Sequence, residues 1–481
     1  MTSERPPGLD PSDWQEFRKA AHELLDACID RLSTAADHPW QPVPEDVRAG
    51  YALPESGVGL GDPARLAAEL RDTVLPHGTG NTHPRFFGWV HGTGLAEGLL
   101  SEMVAATMNA NCGGRDHGTI YVERAVVDWT RRVMGFPETT SGILVTGTSQ
   151  ATVIALQAAR LRALGADLRA KGQGGRWLTA YAGDGAHNAA RKAIELLGIG
   201  HENLRRVPEG ENGLDLDALK AQIAADREAG ALPFAVIGTA GSVDFGRFDD
   251  LDAIADIAAE EELWFHVDGA FGAWTRLADA PWRGLSDGIG RADSLACDFH
   301  KWMYVPYDCG LCLIRNEDEH RAAFAARPSY LAALDTGLAG GDPWYCDYGI
   351  DLSRGNRALK VWAAIRAHGA EGLGRAISDN CRRAAQMAEL VEDAPGMRLM
   401  APVISNLCVF TADETLPPEA QSVLNGEIAQ KLQLSGDVVF STTLAGGITC
   451  LRAAITNHRT RPEDISHSIA AVSRAAQEAR G

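Results

Sequence analysis

Two stretches of this chain decide its fold, HVDGAFGAW at residues 266–274 and DSLACDFHKWMYVPYDCG at residues 293–310. Each opens with a short apolar run that is typical of a buried strand. Asp268 closes the first run, at the end of a strand where open α/β sheets place their ligands. Lys301 follows the second run among apolar neighbours. Burial of an amine favours its neutral, nucleophilic form, although a lysine in such a place often reaches to the surface instead.

The same pattern extends outward over most of the chain. Apolar runs such as GILVTG, WLTAYAG, FAVIGTAG and GLCLIRN are separated by amphipathic stretches such as ATVIALQAARLRALGA and DDLDAIADIAAEEE. Short buried strands that alternate with helices of this length indicate βαβ units and a mainly parallel sheet. The sequence therefore predicts an α/β fold over the middle of the chain.

The flanks differ from this middle part. Residues 16–32 have helical apolar spacing behind a cap at Ser12 or Asp13, and the Pro- and Gly-rich stretch 39–63 predicts an extended wrapping segment. Residues 357–393 predict a long helix, followed by strand-like pieces and a final helix. We therefore expect an N-terminal helical arm over 1–85, a large domain over 86–355 and a small C-terminal α+β domain over 356–481.

Composition excludes several classes of protein. The 481 residues carry 45 Lys and Arg against 64 Asp and Glu, a net charge of −19, which argues against binding to nucleic acid. We find no apolar run of membrane-spanning length and no secretory signal at the start, and the nine cysteines are scattered, so we expect a cytoplasmic protein with free thiols. Cys309 and Cys312 form a CxxC pair, but their strand-like context favours small buried residues over a redox or metal pair.

A third motif supplies an anion site. TGTSQAT at residues 146–152 lies between a predicted strand and a predicted helix, so its backbone N–H groups point toward the helix N-terminus, where phosphate binds well. It matches neither a Walker A loop nor GxGxxG, and by itself it is more often only a structural turn. A phosphate cradle, a strand-end acid and a buried lysine together are what pyridoxal phosphate requires for its phosphate, its ring nitrogen and its aldehyde. We expect no metal.

These motifs resemble the group II pyridoxal-phosphate decarboxylases, the family of aromatic-L-amino-acid, glutamate and diaminobutyrate decarboxylases. Their pattern is HVDAAxGG followed by DSxxxDPHKW. The resemblance also covers HPRFFGW near 83–89, TGTSQAT, RALKVW at 357–362 and LRAAITNHRT at 451–460. It implies the fold type I architecture of PLP-dependent transferases, an amino-acid substrate and a homodimer whose active sites lie at the subunit interface.

The resemblance also implies roles for individual residues. Lys301 would bond covalently to the cofactor, Asp268 would pair with its ring nitrogen, and His187 would stack on the ring and contact the substrate carboxylate. Ala270 would pack on the other face of the ring, and Ser242 would lie near the cofactor. The phosphate ligands would be Thr148, Ser149 and His300.

Family members carry a mobile loop with a tyrosine that returns a proton after CO2 has left. Here the loop corresponds to the stretch before RALK, and Gly337, Gly340 and Gly341 suit a flexible lid. Counting back without gaps places Tyr345 at the tyrosine position, with Tyr348 as the nearby alternative. In the family, a Phe at this position goes with oxidative conversion of the substrate into an aldehyde. The resemblance therefore implies that Tyr345 favours simple decarboxylation.

The sequence departs from the family pattern where the substrate would bind. Phe299 replaces the Pro of DPHKW, the SPAxTELE segment is DHGTIYVE at 116–123 with only Glu123 kept, and HGTG stands at 91–94. Arg115, His117 and His91 would suit an acidic or polar substrate, whereas Phe86 and Trp89 would suit an aromatic one. We expect α-decarboxylation of an L-amino acid, with an aromatic one favoured. The alternatives are an acidic or diamino substrate, or oxygen-dependent conversion to an aldehyde.

Overall fold

A seven-stranded sheet forms the centre of the molecule in the computed structural model, which describes residues 8–53, 55, 59–210, 213–326, 334 and 336–480. Its strands are β1 (Ser141–Val145), β2 (Leu178–Gly183), β3 (Leu204–Val207), β6 (Leu232–Thr239), β7 (Trp264–Asp268), β8 (Ser294–Asp298) and β9 (Gly310–Ile314). A small separate hairpin of β4 (Glu209–Gly210) and β5 (Gly213–Leu214) follows β3. Every residue of β1, β2, β7, β8 and β9 is buried, which accounts for their continuous apolar runs.

The strand order is β1-β9-β8-β7-β6-β2-β3. Strands β8, β7, β6, β2 and β3 run parallel, and β9 runs antiparallel to both of its neighbours, β1 and β8. This is the mainly parallel sheet of the fold type I architecture that the sequence predicts, and that prediction is confirmed.

Helices cover both faces of this sheet. They are α4 (Glu97–Met108), α5 (Gly118–Val133), α6 (Thr148–Leu164), α7 (Leu168–Lys171), α8 (Asn188–Leu196), α9 (Leu216–Glu228), α10 (Leu251–Glu260) and α11 (Glu317–Phe324). Two hydrophobic clusters result. One contains Phe265, Trp274 and Trp302, and the other contains Ile154 of α6 and Trp264. The sheet is therefore enclosed except along the edge where its parallel strands end.

The N-terminal part is helical and then mostly irregular, as the sequence predicts. Helix α1 (Trp14–Ser33) is capped by the Asp13 carboxylate, which accepts hydrogen bonds from two backbone N–H groups of the first turn. The described residues between α1 and residue 70 add a 3-10 turn at Ala35–Asp37 and the short helices α2 (Glu45–Gly50) and α3 (Pro63–Glu69). Residues 54 and 56–58 of the predicted wrapping segment lie outside the described residues.

The C-terminal part has its own four-stranded sheet of order β10-β11-β13-β12. Its strands are β10 (Arg398–Leu399), β11 (Leu407–Thr411), β12 (Ser441–Ala445) and β13 (Ile448–Ala454), with α13 (Pro418–Ser435) and α14 (Pro462–Arg480) packed on it. The predicted long helix is α12 (Ala358–Asp393), kinked at Gly369, where φ is +63°. Residues 85–87 pair with residue 439 and with Ala454, so the start of the large domain is tied to the small sheet.

A buried ion pair protects the outer edge of β1. Glu123 and Arg354 are each about 1% exposed, and their side chains meet at 2.6 Å. Glu123 also accepts the N–H of Leu144 at 3.0 Å, and Arg354 donates to the Leu144 carbonyl at 2.5 Å. The pair thus satisfies both backbone groups of Leu144, in the strand that leads into the predicted phosphate turn. Within the described part of the chain, none of the helices is both long and apolar enough to cross a membrane.

Candidate active site

Adjacent strand ends bring the predicted acid and lysine together. Thr239 at the end of β6 is in register with Asp268 at the end of β7, and Asp268 is in register with Ala296 of β8. Lys301 follows β8 by three residues. The carboxyl ends of parallel strands share one edge of a sheet, so the side chains of Asp268 and Lys301 reach the same cavity.

Asp298 joins Lys301 to the phosphate turn. One carboxylate oxygen, Oδ1, accepts the backbone N–H of Thr148 at 2.8 Å. The other, Oδ2, accepts the Thr148 hydroxyl at 2.5 Å and lies 3.2 Å from Lys301 Nζ. Asp298 is 2% exposed, so its charge is balanced inside the protein by these donors.

Gly310 at the start of β9 permits the close contact between Asp298 and the turn at Thr148. It pairs with Asp298 on one side and with Val145 of β1 on the other. A Cβ at position 310 would lie 2.6 Å from Gly147 Cα and 2.7 Å from Asp298 Oδ1. Because glycine has no Cβ, the turn after β1 can approach the end of β8.

The cavity at this edge has a volume of about 320 Å³. Its lining combines ionisable, aromatic and small side chains. The lining residues are Trp89, Val90, His91, His187, Thr239, Gly241, Val243, Asp268, Ala270, Phe271, His300, Lys301 and Tyr307. Seven of the predicted site residues are among them, namely Lys301, His187, Asp268, Ala270, His300, Trp89 and His91.

Asp268 is a buried acid whose electrostatics suit a cationic partner. Burial raises the pKa of its carboxyl group, and the nearby His187 and Lys301 oppose that rise. The only hydrogen bond that its carboxylate accepts from a described residue comes from the backbone N–H of Ala270, at 3.2 Å. A protonated ring nitrogen in the cavity would provide the cationic partner that a buried carboxylate needs.

His187 caps helix α8 and lies exposed at the mouth of the cavity. Its Nδ1 accepts the N–H of Ala189 at 3.2 Å, so in the neutral ring the proton is on Nε2. The backbone therefore fixes which nitrogen can donate toward the cavity.

His300 is held in the same manner. Its Nδ1 accepts the N–H of Cys309 at 3.0 Å, and Tyr307 packs on its ring with the centroids 4.3 Å apart. Burial lowers the pKa of His300, with a further lowering by Lys301 and an opposing effect of Asp298. The neutral ring places an N–H at Nε2, 3.7 Å from Asp298 Oδ2.

An aromatic wall closes one side of the cavity, and we use this name for Phe86, Trp89, His91 and Tyr307. The His91 ring stacks on Phe86 at 5.7 Å, packs at a tilt against Trp89 at 5.6 Å and meets Tyr307 edge-on at 5.9 Å. Phe86 is 5% exposed and lies behind His91, so it supports the wall from outside the lining.

Arg452 of β13 holds two parts of the lining in place. It donates to the carbonyl of Trp89 at 3.1 Å and to the carbonyl of Val243. Trp89 has a φ of +52°, a backbone conformation that is costly for a bulky residue unless its surroundings enforce it. The small domain thereby fixes the position of the aromatic wall.

The predicted phosphate ligand Ser149 and the predicted cofactor neighbour Ser242 lie close to the cavity. Ser149 is exposed at the start of α6, and neither its backbone N–H nor its hydroxyl has a hydrogen-bond partner among the described residues. Ser242 is buried between two lining residues, and its hydroxyl accepts the N–H of Arg247 at 3.1 Å.

The loop tyrosines lie elsewhere within this chain. Tyr345 is 4% exposed, faces the Arg354 guanidinium at 5.1 Å, and is not among the described residues that line the cavity. Burial raises the pKa of its hydroxyl well above the usual range. Tyr348 is also buried, and its hydroxyl donates to Glu317 at 2.5 Å. Of the predicted lid, residue 335 lies outside the described residues, whereas Gly337, Gly340 and Gly341 lie within them.

The unusual residues of segment 111–117 are also outside this cavity. Arg115 stacks on Trp344 at 4.6 Å, and His117 bonds to Thr119 at 2.7 Å. Within one chain, therefore, the structure brings His91 but not Arg115 or His117 to Lys301.

Sequence reasoning missed Asp298 and Tyr307 as residues of the site. Asp298 carries the same signal that pointed to Asp268, an acid that closes a buried strand, but it lay inside the lysine motif. Tyr307 had no local signal, because only the return of the chain toward β9 turns its ring onto His300.

The residues present fit pyridoxal phosphate. The cavity offers an amine at Lys301 and a buried acid at Asp268, which correspond to the aldehyde and the ring nitrogen of the cofactor. The free N–H and hydroxyl of Ser149 at a helix N-terminus suit its phosphate. Among the described residues we find no cluster of three or more His, Cys, Asp or Glu side chains placed to bind a metal.

Comparison with known proteins agrees with this geometry. Residues 60–413 match the family described as the pyridoxal-dependent decarboxylase conserved domain. The chain is 28% identical over 473 residues to an aromatic-L-amino-acid decarboxylase of Bacillus atrophaeus, covering 96% of each chain. It is also 28% identical to a phenylacetaldehyde synthase of Arabidopsis thaliana over 468 residues, or 93% of each. A crystal structure of Oryza sativa TDC with PLP and tryptamine superposes with a TM-score of 0.88 at 24% identity, over 98% of this chain and all of the other.

The chain belongs to the pyridoxal-dependent decarboxylase family. It is a PLP-dependent enzyme that decarboxylates an amino acid.

Proposed function

We propose that this enzyme removes CO2 from an aromatic L-amino acid and releases the corresponding amine. The observation that carries the proposal is the aromatic wall beside Lys301. Aromatic rings bind an aromatic side chain through large apolar contact areas and favourable edge-to-face or offset geometry.

Charge in the cavity argues against the alternative substrates. A substrate with a side-chain carboxylate would need a cation besides Lys301, and none of the described lining residues is an arginine or a second lysine. A diamino acid would need a second carboxylate, and Asp268 is the only acid in the described lining. Burial, Lys301 and His300 all lower the pKa of His91, which keeps it from serving as a cation.

Each polar residue of the cavity receives one task in this proposal. Bound pyridoxal phosphate supplies the ring that accepts the electrons of the broken bond. Asp268 would hold the proton on the ring nitrogen, and Lys301 would link the cofactor to the protein. Ser149, His300 and the start of α6 would hold the phosphate, and Thr148, whose N–H and hydroxyl both bond to Asp298, would keep this turn in place. Ala270 would pack on the ring, and Ser242 would lie near the cofactor. His187 would orient the substrate and donate from Nε2.

We infer that domain boundaries lie near residues 85 and 355. We also infer that the enzyme works as a homodimer with its active site at the interface. Helix α4 exposes Leu100, Met103, Val104 and Met108 along one face, each at least 46% accessible. An apolar stripe on the surface of one chain suits burial against a second copy. A partner chain could also bring Tyr345, or residues of segment 111–117, to the cavity.

One observation favours a second candidate, oxygen-dependent conversion to an aldehyde. Tyr345 and Tyr348 lie outside the described lining of the cavity, so neither of these two phenols stands beside Lys301 among the described residues. Protonation of the substrate carbon would then depend on His187, which leaves a carbanion open to oxygen for longer.

A substrate panel separates these reactions. The holoenzyme is incubated with the twenty common amino acids, 2,4-diaminobutyrate and dihydroxyphenylalanine, and CO2, amine, ammonia and peroxide are measured. We expect CO2 and amine in equal amounts from aromatic amino acids alone. Equimolar ammonia and peroxide would establish the aldehyde route, and CO2 from glutamate or diaminobutyrate alone would overturn the aromatic assignment.

A further inference from the structure

His91 is the histidine of the aromatic wall, and the position of its backbone is fixed. A Cβ on the next residue, Gly92, would lie 2.0 Å from the His300 carbonyl oxygen, so this segment packs directly on the backbone beside Lys301. Thr456 donates to the His91 carbonyl at 2.6 Å, and Asn81 donates to the Gly92 carbonyl at 2.6 Å. The imidazole therefore stands at a fixed place relative to the reacting lysine.

The ring of His91 is packed on its faces but not at its nitrogens. Phe86, Trp89 and Tyr307 surround it within 6 Å between ring centroids. Neither nitrogen has a hydrogen-bond partner among the described residues, in contrast to His187 and His300, which each use Nδ1. A half-buried imidazole with one donor and one acceptor free, facing a cavity, is suited to bind a polar group of a ligand.

The His91 imidazole is neutral and is suited to bind an uncharged polar group rather than an anion. Burial lowers the pKa of His91, and the charges of Lys301 and His300 lower it further. At neutral pH the ring offers one N–H and one lone pair, which match an O–H or N–H group on an aromatic ring.

We propose that His91 is a specificity-determining residue that hydrogen-bonds a ring substituent of the substrate, selecting phenolic or indolic amino acids over phenylalanine. This inference rests on the proposed function, because it assumes an aromatic substrate. A buried polar group that stays unpaired when phenylalanine is bound lowers its relative kcat/KM, on the order of tenfold for one neutral hydrogen bond.

The test is a comparison of kcat/KM for CO2 release from L-tyrosine, L-tryptophan and L-phenylalanine by the holoenzyme. We expect the wild type to prefer tyrosine, tryptophan or both over phenylalanine, and the His91→Phe variant to lose that preference about tenfold. His91→Phe keeps an aromatic ring in the wall, so phenylalanine turnover is retained. His91→Asn keeps a donor and an acceptor, and we expect it to retain part of the preference.

Two further variants sharpen the comparison. Tyr307→Phe removes the one hydroxyl of the wall, and loss of the preference in this variant but not in His91→Phe would assign substrate discrimination to Tyr307 and overturn the inference. His201→Phe alters an exposed histidine that pairs with Glu195, far from the wall, and should change no ratio.

The outcomes distinguish failure of the inference about His91 from failure of the proposed function. Equal kcat/KM for all three substrates, or an equal loss for all three in His91→Phe, overturns the inference and leaves the proposed function standing. If none of the three amino acids releases CO2 while the cofactor is bound, both are overturned.

Discussion

The Nζ atom of Lys301 lies 3.2 Å from Oδ2 of Asp298, and the same oxygen accepts the hydroxyl of Thr148. One buried carboxylate thus connects the lysine with the N-terminus of α6. The arrangement predicts that Asp298 positions the Lys301 amine and the N-terminus of α6 together. A substitution at one of them should therefore displace the other.

Replacement of Lys301 by alanine should abolish the visible absorbance of bound cofactor and all decarboxylation. The reason is that the cavity offers no second lysine among its described lining residues. Spectra of the purified protein before and after added cofactor measure the effect. Lys192→Ala, at an exposed lysine of α8, is the matched control and should keep both the colour and the activity.

Asp268→Asn should retain the cofactor but lose activity by a factor of about 100 or more, the usual cost of removing one group that stabilises developing charge. An amide cannot hold a proton on a ring nitrogen as a carboxylate does. Single-turnover CO2 release and cofactor titration separate the chemical step from binding. Asp256→Asn, at an exposed residue that pairs with Arg291, serves as the control. Full activity of Asp268→Asn would remove Asp268 from the proposed mechanism.

Gly92→Ala should weaken cofactor binding and lower the thermal midpoint. The new methyl group would lie 2.0 Å from the His300 carbonyl oxygen, so the 300–301 backbone or the aromatic wall has to shift. Gly426→Ala is the contrasting variant, because nothing lies within 4 Å of its added Cβ and it sits inside α13. It should stabilise the protein by up to about 1 kcal/mol. Equal behaviour of the two variants would contradict the close contact at Gly92.

Removal of one partner of the buried pair Glu123–Arg354 should cost about 3 kcal/mol or more, because the other charge stays buried without compensation. We expect Glu123→Gln to lower the midpoint of thermal unfolding by several degrees. The double variant Glu123→Leu with Arg354→Met should recover part of the loss, since no unpaired charge remains. A double variant that is less stable than Glu123→Gln alone would show that the bonds to β1 outweigh the charges.

Acid should destabilise the fold through buried neutral histidines. Burial lowers the pKa of His266 to about 3 from an ordinary value of 6.5. The unfolded chain therefore binds this proton first, and the stabilising contribution is complete above pH 6.5 and falls as the pH drops toward 3. At pH 5 the loss is on the order of 2 kcal/mol. His320 and His458, whose pKa values are also lowered to about 3, and His83, at about 4, act in the same direction.

His266→Phe tests the sign of this effect. The variant removes a ring whose Nε2 has no hydrogen-bond partner among the described residues, so its stability should depend less on pH between 6.5 and 4 than that of the wild type. The measurement is the thermal midpoint as a function of pH. His201→Phe, at an exposed histidine, should leave the wild-type slope intact. An unchanged slope in His266→Phe would mean that this histidine is protonated in the fold.

The central sheet was readable from the sequence because its strands are buried on both faces and therefore form apolar runs. β3 and β12 were missed, since the partly exposed LRRV and STTLA carry no such run. The periodicity of apolar residues does not reveal that β9 runs antiparallel to its neighbours. That direction follows from the short connection 299–309, which lacks the helix that a parallel crossover needs.

The residues of the site also differ in whether a local sequence pattern marks them. Asp268 and Lys301 are marked by their position after buried strands, and Lys301 by its unusual surroundings. The contacts of Tyr307, Val243 and Arg452 with the cavity depend on segments that are distant in sequence, so no local pattern reveals them. The location of Tyr345 under Arg354 likewise depends on the packing of the 345–348 segment on α11, where His320 bonds to the Tyr348 carbonyl at 2.7 Å.

The connection from Asp298 to Gly310 carries the reactive lysine between two paired strands. Both ends are in register, with Ser294 opposite Ile314 and Asp298 opposite Gly310. An added residue within either strand would turn every following side chain to the opposite face. An inserted or deleted residue in either strand should therefore abolish activity, whereas substitutions that keep Asp298, His300, Lys301 and Gly310 can leave the hairpin in register.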